Sequence, residues 1–181
     1  MEKGEAVQRL SSSTPGDPPL KEAFLKQLLI AFPLEPVPEK IVDSLGGGDE
    51  PAIVHTIFIG KKWNEVAYDS IHYSSLHGFM CKDAFVYYLP LFMSFCLNEF
   101  ETAFSFAVYD SLIHHLTAPT SSSPVGQLFW DRVGTMSRLQ KQAVRDFLLL
   151  EIETHKDTQD ETQEAFQSYW HQFSTNKTAQ E

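Results

Sequence analysis

The sequence predicts an all-α, mainly helical fold: a compact bundle of about six to seven helices around a central helix kinked by proline. Three observations predict it. Apolar residues recur at helical spacing in several segments, one long run is apolar on every side, and prolines and glycines punctuate the chain where those segments end. The length of 181 residues suits one domain with a single core, and 43% apolar content with 14 Phe, 6 Tyr and 3 Trp supplies the bulk to fill it. Residues 1–18 and 174–181 are polar and have little apolar surface to offset the entropy of ordering. They are expected to be disordered tails on a domain spanning 19–173.

Asp17-Pro18 reads as a cap and a first-turn proline, and Phe24, Leu25, Leu28, Leu29 and Phe32 follow on one helix face up to Pro33. Pro36 and Pro38 stiffen a connector. Ile41, Val42 and Leu45 suggest a short helical piece broken by Gly46-Gly47-Gly48. Residues 53–59 fit two readings, because their Val, Ile and Phe suit a short strand while Ile53, Ile57 and Phe58 fit a helix face. Helix is preferred. Trp63, Val66 and Ala67 form an amphipathic turn, and a His-rich connector runs from Ile71 to Gly78.

From Ala84 to Leu97 only Pro90 and Ser94 interrupt large apolar side chains, so this helix is expected to be buried all round. A membrane span needs about 20 apolar residues, and Lys82-Asp83 and Glu99 close this run too early. Pro90 should bend the helix and free a carbonyl near Val86, with the hydroxyl of Tyr87 or Tyr88 as its partner. Phe85, Tyr88, Phe92, Phe95 and Trp130 are assigned to the core. Phe104, Val108, Leu112 and Leu116 form an i, i+4 row on a further helix, which stops before Thr117-Ala118-Pro119 and the loop Thr120–Pro124.

Ser137 and Gln140 have the form of a capping box, with Leu139, Ala143, Phe147 and Leu150 facing inward and Arg138, Lys141, Arg145 and Glu151 facing water. A last helix starts at Asp160, with Gln163 as its box partner and Phe166, Tyr169, Trp170 and Phe173 inward. Cys81 and Cys96 lie roughly 22 Å apart on the central helix by helix rise, too far to bridge. Without an apolar stretch in Met1–Leu10 to act as a secretion signal, a cytoplasmic chain with free thiols is expected.

The formal net charge of −10 argues against nucleic acid or an anionic membrane as the partner, since either needs clustered Lys and Arg. A helix-turn-helix can be drawn through Gln127–Val133 and the helix after Ser137, but its Arg138, Lys141 and Arg145 read better as a solvated face with acidic neighbours. His72, His77, Asp110 and His114 make a candidate metal cluster. Asp110 and His114 are one helical turn apart, yet neither HExxH nor CxxC spacing is present, so no cofactor is expected. No nucleophile elbow or phosphate loop appears either, and Asp49-Glu50 after the glycines would repel a phosphate.

The order of Trp63, then Phe85-Val-Tyr-Tyr-Leu-Pro-Leu-Phe92, then Leu139-x-x-x-Gln-Ala-Val144 leading to Phe147-Leu148, resembles an uncharacterised family of small bacterial domains over about residues 58–150. The resemblance implies a shared fold and brings no activity with it. Small acidic helical domains of this kind also resemble immunity proteins, which neutralise bacterial toxins by direct binding and need no catalytic group. The expectation is therefore a non-enzymatic protein-binding domain with a basic toxin as partner. Its candidate binding residues are Asp157, Asp160, Glu161 and Glu164 on the last helix, or Asp49 and Glu50. The alternatives are a general adaptor and a metal-dependent enzyme using the His/Asp cluster.

Overall fold

The computed structural model describes residues 18–43, 49–71, 78–120 and 124–174, and the backbone alone at 18, 19, 124 and 125. Among these residues the chain forms eight α-helices and no strand: α1 (Pro18–Ala31), α2 (Glu50–Phe58), α3 (Lys82–Asn98), α4 (Phe100–Ser105), α5 (Val108–Leu116), α6 (Pro124–Thr135), α7 (Arg138–Thr154) and α8 (Gln159–Ser168). Short 3-10 turns occupy Tyr68–Ile71, Lys156–Thr158 and Trp170–Gln172. The expectations for residues 1–17 and 175–181, the Asp17 cap, Leu45 and the glycines 46–48 lie outside the described residues.

Helix α3 is the hub. Every residue from Ala84 to Leu97 except Tyr87 is buried, as an all-round apolar run requires. Helices α1, α4, α5 and α6 pack against it, and α7 lies across α1 and α8. No helix among the described residues is long and apolar enough to cross a membrane.

Residues 53–58 belong to α2, so the strand alternative is not taken. Val54 and Phe58 make its buried face, with the Phe58 ring 4.7 Å from Tyr88. The helical piece expected from Ile41 is instead extended. Val42 pairs with Met80 in an isolated antiparallel bridge, and the Ile41 carbonyl accepts from the Cys81 amide at 2.9 Å. That pairing clamps the proline connector to the start of α3.

Helix α3 continues through Pro90, but neither tyrosine serves the carbonyl near Val86. A helical side chain at the next positions points away from it. The Tyr87 hydroxyl donates to the Leu34 carbonyl at 2.7 Å, and the Tyr88 hydroxyl reaches the carbonyls of Phe58 and Lys61, each at 2.7 Å.

The row Phe104 to Leu116 is split. Ala107 takes a left-handed conformation at φ 54°, which ends α4 and starts α5 in a new direction and leaves Phe104 45% exposed. The Ser137–Gln140 capping box is present in both directions. At α8 the expected box is absent: the cap position falls on Thr158, whose hydroxyl bonds inward rather than to the helix. Leu29 and Leu139 are exposed where the periodicity placed them in the core, as is Trp130, assigned there as an aromatic, and the reverse holds for Glu151, which is completely buried.

Several helix ends share a device. The last carbonyls of a helix lack intrahelical donors, and here side chains from distant elements supply them. Trp63 Nε1 donates to Phe32 just beyond α1, Tyr88 to Phe58 at the end of α2, and Trp170 Nε1 to Leu116 at the end of α5. Lys21 Nζ donates to Leu97 near the end of α3, at 2.6 Å. The aromatic side chains thus fill the core with their bodies and satisfy the backbone with their tips.

Candidate functional site: an acidic cleft between α5 and α8

Helices α5 and α8 are bound together through hydroxyls. The Tyr109 hydroxyl lies 2.7 Å from Thr162 Oγ1, Thr158 Oγ1 donates to Tyr109 at 3.2 Å, and Thr162 Oγ1 donates to the Thr158 carbonyl at 2.9 Å. Because Thr162 spends its hydrogen on that carbonyl, Tyr109 is the donor to Thr162. Burial pushes the Tyr109 phenol up to about 12, so it keeps its proton and the chain its direction.

Above this floor lies a cleft of about 420 Å³. Asp110 and His114 enter it from α5, Asp157 from the 3-10 turn, and Glu161 and Glu164 from α8, with Phe104 and Ile113 as apolar wall. All four carboxylates and His114 are exposed. No lysine or arginine lines the cleft, and none of the four carboxylates pairs with a basic side chain among the described residues. The result is a concave surface of one sign beside a half-exposed aromatic ring.

The structure therefore joins two groups that the sequence keeps 43 or more residues apart: Asp110 and His114 from the metal candidates, and Asp157, Glu161 and Glu164 from the binding candidates. Asp160 is exposed on α8 and does not line the cleft. Asp49 and Glu50 stand at the start of α2, where the helix field favours acidic side chains, and they too are outside it. His72 and His77 lie outside the described residues. Among those described, no group of three or more His, Cys, Asp or Glu is placed to hold a metal ion.

A smaller cavity of about 290 Å³ adjoins the cleft and shares His114, Thr117 and Glu164 with it. At its back lies Arg132, only 2% exposed. Its guanidinium sits 3.9 Å above the Phe85 ring, Nη1 is 3.2 Å from His115 Nδ1, and Nη2 donates to the Met80 carbonyl. Arginine can only donate, so Nδ1 accepts and the imidazole hydrogen is on Nε2. Nε2 faces Gly78, where a Cβ would approach to 3.2 Å, so the glycine permits this close contact. Burial lowers Arg132 to about 10, which leaves it charged at neutral pH.

Of the face drawn through Arg138, Lys141 and Arg145, one residue has the expected acidic neighbour and one packs on a ring. Arg145 pairs with Asp146 at 2.6 Å, and Lys141 sits over the Phe173 ring at 5.5 Å. Cys81 and Cys96 are free and buried, and burial holds the Cys96 thiol well above its ordinary range, which makes it a poor nucleophile. A wider cavity of about 760 Å³ follows Pro33, Pro36 and Pro38 past Cys81 and Tyr87, and its carboxylates, Glu35, Glu39, Asp43 and Asp83, are interleaved with Lys40 and Lys82.

No curated protein and no solved structure matches the chain. Residues 39–174, most of its length, match a family of unknown function, DUF6714, and the protein belongs to that family.

Proposed function

We propose that this chain is a non-enzymatic protein-binding domain, and specifically a bacterial immunity protein that neutralises a basic toxin in the cytoplasm by direct binding. The observation that carries the reading is the cleft between α5 and α8. It has four carboxylates and no lysine or arginine in its lining, set in a concavity beside an exposed Phe104. Such a surface attracts a cationic partner over a distance of about one Debye length, about 8 Å at physiological salt. On contact it can surround a lysine or arginine side chain while Phe104 covers apolar surface. A rigid bundle suits this role, because little ordering is then needed at the moment of binding.

The test is co-expression with the product of the neighbouring gene, read by cell survival and co-purification. Protection and a co-purifying basic protein are expected. Changing Asp157, Glu161 and Glu164 together to lysine should weaken the complex on the order of 10- to 100-fold, mainly through slower association at low salt. A harmless neighbour with nothing basic co-purifying ends this reading, as does full protection by the triple variant. Stoichiometric zinc, iron or manganese in the purified protein would favour the metal-dependent alternative.

A further inference from the structure

Glu151 is the one acidic side chain with no exposed surface among the described residues. It points inward from the last turn of α7, and neither carboxyl oxygen has a hydrogen-bond partner. His155 Nε2 lies 3.7 Å from Oε2, too long for a hydrogen bond, and that nitrogen is also without a hydrogen-bond partner. Three physical terms oppose a negative charge here: desolvation, the absence of donors, and the partial negative charge at a helix C-terminus.

The ionisable groups that act on it directly are Lys21 on α1, Cys96 on α3, Tyr109 on α5 and His155 beyond α7. Asp110 acts on Cys96 and Glu101 of α4 on His155, while α8, which packs along α7, adds no charge that acts on the Glu151 carboxyl. Only Lys21 favours the carboxylate, and burial outweighs it, which raises Glu151 to about 8. Lys21 is already engaged, because its Nζ holds the Leu97 carbonyl at 2.6 Å, one residue before the end of α3. His155 is stacked on Phe100 of α4 with ring centroids 3.4 Å apart, and its side chain is 18% exposed.

We propose that Glu151 is a protonation switch: a neutral acid in the closed bundle that, once ionised, draws Lys21 away from the Leu97 carbonyl and loosens the corner between α3 and α4. The proton leaves to water past His155, whose side chain is 18% exposed and whose Nε2 is 3.7 Å from the carboxyl. The corner depends on Lys21 because α3 and α4 are separated only by Glu99, so a lost bond at Leu97 acts directly on the seat of Phe100. Phe100 in turn packs edge-on against Tyr109 at 5.2 Å, the residue that bonds α5 to α8.

The direction with pH follows from the proton count. Between the ordinary carboxyl range and about 8 the folded chain holds a proton that the unfolded chain has lost. Stability is full in acid and falls as the pH rises through that window. The folding constant should drop roughly tenfold per pH unit from about pH 5 to 8 and level off above it. Denaturant unfolding of Glu151→Gln should remove this slope, whereas His155→Gln should keep it. In the unaltered protein, the Glu151 carboxyl carbon should titrate near 8 by NMR, a reading that does not depend on any variant folding. Amide exchange at Phe100–Ala103 should accelerate from pH 6 to 9 beyond the intrinsic base dependence, and Glu151→Gln should abolish the excess. A carboxyl midpoint below 5, an unchanged slope in Glu151→Gln, or no excess exchange at that corner overturns the switch.

Discussion

The two ends of the bundle treat buried polar groups in opposite ways. Where α2 and the N-terminal half of α3 meet the proline connector, each large polar side chain reaches a backbone carbonyl: Trp63 to Phe32, Tyr87 to Leu34, Tyr88 to Phe58 and Lys61. Where α7 ends, Glu151, Thr154 and His155 all hold buried polar atoms without partners. A satisfied group contributes about 1 kcal/mol, and an orphaned one costs about 1–3 kcal/mol. The first end therefore behaves as scaffold. The second holds the free energy that a conformational change can release, and it borders the Tyr109–Thr158–Thr162 chain beneath the acidic cleft.

The contrast can be broken by substitution, beginning with the largest expected effect. Phe92 is 1% exposed, and its ring lies 6.1 Å from that of Phe58 in the scaffold half. Phe92→Ala should cost about 3–5 kcal/mol in denaturant unfolding, because tight packing leaves little room for collapse. A loss below about 1 kcal/mol would mean the core there is loosely packed.

A matched pair of hydroxyl deletions comes next. Tyr88 shares its one hydrogen between two carbonyls, and the Phe58 carbonyl also accepts from the Lys61 amide at 3.1 Å, so Tyr88→Phe should cost about 1–2 kcal/mol, chiefly by removing the side-chain donor to the Lys61 carbonyl. Thr154→Val removes a buried hydroxyl that bonds to nothing and keeps the side-chain shape, so stability should rise by about 0.5–1 kcal/mol. Equal signs in chemical denaturation would remove the distinction between the two ends.

Much of the scaffold half can be read from the sequence, because periodicity and all-round apolarity report burial directly. Ala84–Leu97 and the Ser137–Gln140 box are of this kind, since each needs only residues near in sequence. The other half depends on pairings that no local pattern encodes. Glu151 continues the inward series Val144, Phe147, Leu148 and Ile152 at helical spacing, so position alone signalled burial, but the preference of a carboxylate for water argued the reverse. The cleft shows the same limit. Its acidic residues could be named singly, while the meeting of Asp110 with Asp157, Glu161 and Glu164 depends on the turn at Ala107 and on hydroxyl contacts 49 and 53 residues apart in sequence. Arg132 gave no signal, since one arginine in an amphipathic helix reads as surface.

That turn supplies the smallest effect. Ala107 carries φ 54° and ψ 21°, the left-handed region in which a Cβ crowds the backbone, yet its amide donates to Phe104 and its carbonyl accepts from Ser111. The surrounding bonds hold the residue there against a cost of about 1 kcal/mol. Glycine takes this conformation freely but loses more entropy on folding. Relief of strain and loss of entropy nearly cancel, and Ala107→Gly should raise stability by about 0.5 kcal/mol. Ala103, buried in α4 four residues earlier, gives the contrast: Ala103→Gly adds the same entropy, relieves no strain and removes a buried methyl, and should lower stability by about 1–2 kcal/mol. If both substitutions destabilise equally, the turn at Ala107 carries no strain, and the direction of α5, with Asp110 and His114 on it, is set by packing alone.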